Sequence, residues 1–133
     1  WKRVMSPLQK LITLEQKASL MGFDWPNTEA IIDQAISECH EIKCTIEANE
    51  GRKRLQEEVG DLLHAAISLC LFEGLDVDET LEHVNKKFEA RLEALQQIAK
   101  DRGFSTLKSQ PFTFLLELWE EAKQVANNLA KIS

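Results

Sequence analysis

Glycine and proline are scarce in this chain, five and three among 133 residues, and sustained alternation of apolar and polar residues is missing altogether. Without a window of that kind over a strand's length, the half-buried sheet drops out of the candidate architectures. Long apolar runs are lacking too: no stretch approaches the roughly 20 residues that a bilayer-spanning helix needs. The N-terminal residues do not have the charged, apolar and small-residue order of a secretory signal, so the sequence points to a cytoplasmic protein with no membrane partner. Cys39, Cys44 and Cys70 are an odd number without CxxC spacing. Each falls in a helical pattern among apolar neighbours, and they read as reduced core thiols rather than a disulfide framework. A basic surplus is absent as well. The formal charge of −6 offers no face to offset repulsion from a phosphate backbone, which excludes a general binder of nucleic-acid polymers. An acidic enzyme can still take a polyphosphate where metal ions bridge the two. The chain opens on Trp1 rather than Met, as a processed protein or an excised domain would.

What is present is helical periodicity, and the few glycines and prolines mark its breaks. Ser6-Pro7 has the order of an N-cap followed by an N1 proline, and Leu8, Leu11, Ile12, Leu14 and Ala18 follow, predicting a first helix over 7–21 that Gly22 stops. After the loop GFDWPN, Asn27 or Thr28 can cap a second helix, whose apolar positions Ile31, Ile32, Ala35, Ile36, Cys39, Ile42 and Ile46 carry it to near Gly51. A third is predicted over 52–73, with Leu55, Val59, Leu62, Leu63, Ala66, Ile67 and Leu69 inward and Gly74 as its left-handed stop. Asp76, with Glu79 three residues on, gives a capping-box-like start to a long fourth helix ending at Gly103, and residues 112–132 read as a fifth. The expectation is an all-α fold, a four-helix bundle with one additional helix, in a single domain over 1–133. A chain of this length buries roughly two thirds of its unfolded surface. The stretch PFTFLLELW, residues 111–119, carries more large apolar side chains than one inward stripe needs. The excess suggests burial against a second copy, in a homodimer or higher homo-oligomer.

Carboxylates interrupt this pattern. Glu38 and Glu41 leave one face of the second helix a turn apart, and Glu58 and Asp61 repeat the arrangement on the third. Two helices joined by a short turn at Glu50-Gly51 pack antiparallel, which brings the four acids toward one point. Four carboxylates there repel unless neutralised, and a hard divalent cation that prefers oxygen ligands, such as Mg2+, is the obvious neutraliser. Gly60, next to the acids, leaves room for another backbone or a ligand to approach. The plain alternative is a pair of solvated helix faces. A di-iron centre is the competing metal reading, but Asp61 with His64 is the one pair of the needed type, and Ser37 cannot replace a carboxylate before His40. His64 and His40 read as helix-surface groups or as partners behind the acids, and His83 as solvated.

GFDWPN, ECHE, EEVGDLLHAAISL, GLDVDETLEHVNKKFEARLEAL and LWEEAK occur in this order with compatible gaps. Together they resemble the MazG family of nucleoside triphosphate pyrophosphohydrolases, most closely the C-terminal catalytic repeat of its two-repeat members. The similarity runs from about Leu8 to Lys123. It implies an all-α protein that dimerises or assembles further and hydrolyses a nucleoside triphosphate to the monophosphate and pyrophosphate with Mg2+, with Mn2+ as a possible substitute. The family's metal-binding ExxE falls on Glu38 and Glu41 and its ExxD on Glu58 and Asp61. Its phosphate-holding lysine and arginine fall on Lys87 and Arg91, one turn apart on one helical face. Trp119 falls where the family has an aromatic near the nucleobase, Lys123 adds a phosphate contact, and Arg54 is a further phosphate candidate. One of the four acids, or Glu57, would orient or deprotonate the attacking water.

Read without the resemblance, Lys87 and Arg91 form a basic edge making ion pairs with Glu82 or Glu89, and Trp119 is a core or interface anchor. Trp25 reads as structural, covering a core edge from a Pro-containing loop. Three positions depart from the family pattern: Ser37 stands where an acid is frequent, Ser68 where asparagine is common, and Leu71 where arginine is usual. None of the four proposed ligands is lost. The implied role is nucleotide-pool house-cleaning or regulation. The alternative is a degenerate helical dimer that binds nucleotide or a protein partner without turnover.

Overall fold

Five α-helices account for most of residues 4–132, the part of the chain that the computed structural model describes. They are α1 (Pro7–Leu20), α2 (Thr28–Glu47), α3 (Arg52–Phe72), α4 (Val77–Asp101) and α5 (Phe112–Ile132), with no strand among the described residues. The all-α expectation is met. Ser6 Oγ accepts from the Gln9 N–H at 3.2 Å, with Pro7 as the first helical residue. Asn27 rather than Thr28 caps α2, its side-chain oxygen accepting from the Ala30 N–H at 2.8 Å. Asp76 does the same for Glu79 at 2.9 Å ahead of α4.

Helix ends differ from expectation at α2, which stops four residues before Gly51. Asn49 takes the left-handed conformation (φ 52°), its N–H bonds the Ile46 carbonyl, and the Glu50 N–H bonds the Thr45 carbonyl. This is the Schellman arrangement, which asparagine tolerates. Gly51 (φ 98°) instead turns the chain into α3.

The chain divides into two compact units, one ending at Thr80 and one starting at Leu81, so the boundary falls inside α4. In the first unit α2 and α3 pack as a hairpin and α1 packs on α3. The Thr28 hydroxyl, at the start of α2, hydrogen-bonds Glu73 just past the end of α3, so the two helices run antiparallel. The buried residues here are Ile31, Ala65, Cys70 and Val77, together with the polar Thr45, Glu58 and Ser68.

Successive helical residues lie about 100° apart. Turning Glu58, Ala65 and Ser68 inward therefore leaves Val59 and Leu63, expected inside, exposed. Ile32, Ile36 and Ile46 on α2 are exposed in the same way, and so are Cys39 and Cys44. Only Cys70 is the buried thiol that the sequence pattern predicted for all three. Among the described residues nothing lies within 4 Å of the place of the side chain Gly60 lacks, so no backbone approaches there and the space is open.

In the second unit Ala94, Ala99, Leu118 and Ala122 are buried. Phe104 packs on Phe114 with ring centroids 5.6 Å apart, and Arg102 pairs with Glu121. Phe112 and Leu116, within the stretch singled out for its apolar excess, are exposed.

Candidate metal centre

The hairpin gathers the acids of α2 and α3. Glu38, Glu58 and Asp61 each place a carboxylate oxygen within 4.8 Å of the others'. Ligand oxygens on opposite sides of one Mg2+ are about 4.2 Å apart, and those around the larger Ca2+ are more widely spaced, so this grouping matches the size of a divalent cation's shell. Glu41 lies outside the trio but close enough for its charge to act on Glu58.

Electrostatics point the same way. Glu58 is 3% exposed. Burial pushes its carboxyl above the ordinary carboxylate range; Arg54 opposes the shift, and Glu41, Glu38 and Asp61 add to it. Arg54 sits on Glu58, Nη2 to Oε1 at 2.7 Å, and is flanked by Glu57 at 3.4 Å and Glu50 at 3.7 Å. Its guanidinium is held further into the charged form, mainly by Glu58.

Glu38 carries the clearest mark of a missing partner. Its Oε1 accepts from Gln34 Nε2 at 2.7 Å, whereas its Oε2 is buried and accepts nothing among the described residues. A buried carboxylate oxygen with no donor is costly, and a cation among the three acids would satisfy it. The donor set is all oxygen, which suits a hard cation such as Mg2+ or Mn2+ and not a soft one.

A cleft of about 580 Å3 adjoins the trio and counts Glu38 and Asp61 among its walls. The Phe23-Trp25 loop and the apolar side of α1, with Leu11, Leu14 and Ala18, supply further walls, and Glu15, Gln34, His64, Ala65 and Ser68 complete them. The loop is pinned by Asp24, which accepts from the Ser19 hydroxyl at 2.8 Å and from the Trp25 N–H at 2.9 Å. Inside the cleft Glu15 Oε1 accepts from the Ser68 hydroxyl at 2.7 Å and from His64 Nε2. A carboxylate can only accept, so both neighbours donate.

Of the residues singled out from sequence, Glu38, Glu58 and Asp61 meet at one point, Glu41 stands beside them, and Arg54 touches Glu58. Lys87, Arg91, Trp119 and Lys123 belong to the second unit. Lys87 is exposed and Arg91 half-buried, and among the described residues neither makes the ion pair with Glu82 or Glu89 that the plain reading required. Trp119 packs edge-on against Phe88 at 6.0 Å and lines a small apolar cavity with Leu95, Leu107 and Phe112. Lys123 pairs with Glu120 at 3.0 Å.

Sequence reasoning missed Glu15 and Gln34 and placed Trp25 in a structural role. Ser68 stood out only as a departure from the family pattern, and His64, read as a helix-surface group or a partner behind the acids, bonds Glu15 in the cleft wall. No local signal marks Glu15, because its partners lie 49 and 53 residues away.

Comparison with known proteins gives a consistent result. The profile of the MazG nucleotide pyrophosphohydrolase domain matches residues 27–95. The chain is 33% identical over 110 residues to a Thermotoga maritima protein named nucleoside triphosphate pyrophosphohydrolase/pyrophosphatase MazG, covering 83% of this chain and 41% of that one. It is 26% identical over 123 residues to the Escherichia coli nucleoside triphosphate pyrophosphohydrolase, covering 92% of this chain and 46% of that one. The chain thus spans less than half the length of these curated relatives. No helix among the described residues is long and apolar enough to cross a membrane.

Proposed function

Because the chain belongs to the MazG nucleotide pyrophosphohydrolase family, we propose that it hydrolyses nucleoside triphosphates to the monophosphate and pyrophosphate with Mg2+, Mn2+ serving as a substitute. The observation that carries this is the buried, partnerless Oε2 of Glu38 at the meeting point of three carboxylates. Glu38, Glu58 and Asp61 would hold the cation, with Glu41 as the fourth acid. Bound there, the cation supplies neutralisation of the polyphosphate charge and acidification of water.

The chain's own groups do the rest. Glu41, whose charge acts on Glu58, and Glu57, paired with Arg54, are exposed carboxylates, suited to orient the attacking water and accept its proton. Arg54 uses one edge on Glu58 and keeps further N–H groups for phosphate oxygens. Lys87 and Arg91, unpaired among the described residues, are the family's phosphate-binding pair, while Lys123 and Trp119 are its further phosphate and nucleobase contacts. The match over 27–95 runs across the boundary between the two units, which supports treating 1–133 as one functional domain.

The assembly is a homodimer or higher homo-oligomer. Val59 and Leu63 on α3, Ile32 and Ile36 on α2, and Phe112 and Leu116 on α5 are exposed, more apolar surface than isolated side chains explain. A cytoplasmic house-cleaning or pool-regulating role follows from the reaction.

The test is chromatography of products after incubation with each common ribo- and deoxyribonucleoside triphosphate, with Mg2+ and with chelator. Monophosphate and pyrophosphate, formed only with metal and lost in Glu58→Gln, is the expected result. Diphosphate and phosphate, or wild-type turnover by Glu58→Gln, overturns the proposal.

A further inference from the structure

We infer that the cleft beside the acids reads the nucleobase and selects bases carrying an exocyclic amino group, an inference that rests on the nucleotide-hydrolysing reading above. Placement is the first argument. Glu38 and Asp61 belong both to the acidic trio and to the cleft wall, so a nucleotide whose phosphates are held at the acids has the cleft beside it for its other end. At about 580 Å3 the cleft lies within the range of small-molecule sites. Its walls suit a planar ring, since Phe23 stands at the rim, Trp25 is half-buried, and Leu11, Leu14 and Ala18 face them. Asp24 fixes the loop that carries both aromatics, so the Trp25 face is largely positioned before a ligand arrives.

The second argument is the hydrogen-bonding capacity left unused. Ser68 and His64 both donate to Glu15 Oε1, and among the described residues Glu15 Oε2 has no partner. Gln34 spends its Nε2 on Glu38 and keeps its carbonyl oxygen. Glu15 thus offers the cleft a free carboxylate oxygen, which can only accept, and Gln34 adds an amide oxygen beside its one remaining N–H. An amino group on the base donates to them. An oxo group in its place sets lone pairs against a carboxylate and leaves the second oxygen of a partly buried Glu15 without a donor. The cavity beside Trp119 lacks such groups, because its other lining side chains, Leu95, Leu107, Phe112, Leu115 and Leu116, are all apolar.

The experiment compares matched pairs that differ in amino against oxo, dCTP with dUTP and ATP with ITP, in wild type, Glu15→Gln and Trp25→Ala. Wild type is expected to favour the amino member of each pair by at least about tenfold in kcat/KM. Glu15→Gln, which puts a donor in place of a carboxylate oxygen, should draw both ratios toward one. Trp25→Ala should raise KM for all four and leave the ratios in place. Wild-type ratios near one, or ratios that Glu15→Gln does not move, overturn the inference while the pyrophosphohydrolase reading stands. If Glu15→Gln fails to fold, Glu15→Asp, which shortens the reach of the carboxylate, is read in the same way. If no triphosphate is turned over, the reaction proposed above fails and base choice is read from equilibrium titration of dCMP and dUMP with Mn2+. Tighter binding of dCMP supports the inference, and equal or absent binding of the two overturns it.

Discussion

Gln34 is the residue whose replacement tests most directly whether the acidic trio is a metal centre. Its amide donates to Glu38 Oε1 at 2.7 Å, so it fixes the one carboxylate whose other oxygen waits for a partner. Gln34→Leu removes the donor and keeps most of the side-chain volume. Removing a group that orients a metal ligand typically weakens the metal by about 10- to 100-fold, or about 1.4–2.8 kcal/mol. A hydrogen bond to a charged group is independently worth about 1.5–3 kcal/mol. The two ranges agree, and because Gln34 is exposed, water replaces part of the bond and sets the expectation at the lower end, about tenfold. Isothermal titration with Mn2+ in the absence of nucleotide reads this without involving the base. Thermal unfolding in chelator should be nearly unchanged, since the substitution lies on a solvent-facing turn of α2. An affinity within twofold of wild type, measured alongside a Glu58→Gln variant that has lost the metal, would show that Glu38 is not held for a cation, and the reasoning from its orphaned oxygen would be wrong.

Two further outcomes follow from the same geometry. Burial holds the Glu58 carboxyl above the ordinary 4.5, so the folded, metal-free protein keeps that proton more tightly than the unfolded chain. The stability it contributes is present below the unfolded value and lost as pH rises through the folded one. In chelator, then, Glu58→Gln should gain in Tm relative to wild type as pH rises above the ordinary carboxylate value, and a difference that stays constant with pH refutes the buried-charge account. Asn27→Ala deletes the α2 cap and its 2.8 Å bond to the Ala30 N–H, for a loss of about 1 kcal/mol in urea unfolding at unchanged m-value. A loss below a few tenths would mean that water caps the helix equally well.

How much of this was legible depends on the range of the interactions. Helix existence and starts came from spacing and caps, which are local, and Ser6, Asn27 and Asp76 act where the sequence put them. The ExxE and ExxD pairs were legible for the same reason, and so was Arg54, since a residue four positions before Glu58 lies on its face of the helix. The early stop of α2 was not. Gly51 is the stronger left-handed signal, but Asn49 reached the conformation first and a Schellman pair closed on it. The cleft was illegible because Glu15 is tied to His64 and Ser68 across the packing of α1 on α3, and nothing within a turn of Glu15 announces those partners.

The most instructive difference is which face of α3 turns inward. Apolar spacing placed Val59 and Leu63 in the core, while the acid spacing placed Glu58 and Asp61 toward α2. Burying Glu58 instead is worthwhile only if its charge is compensated, here by Arg54 and, in the proposed state, by a cation. The rotation of α3 that turns Glu58 and Asp61 toward Glu38 carries Val59, one residue on, and Leu63, five on, away from α2 and into solvent. The gathered acids and the uncovered apolar stripe are therefore two results of one helix orientation. A second chain covering Val59 and Leu63 would hold α3 in the rotation that the metal centre requires, which makes the proposed assembly part of the site's stability rather than an addition to it.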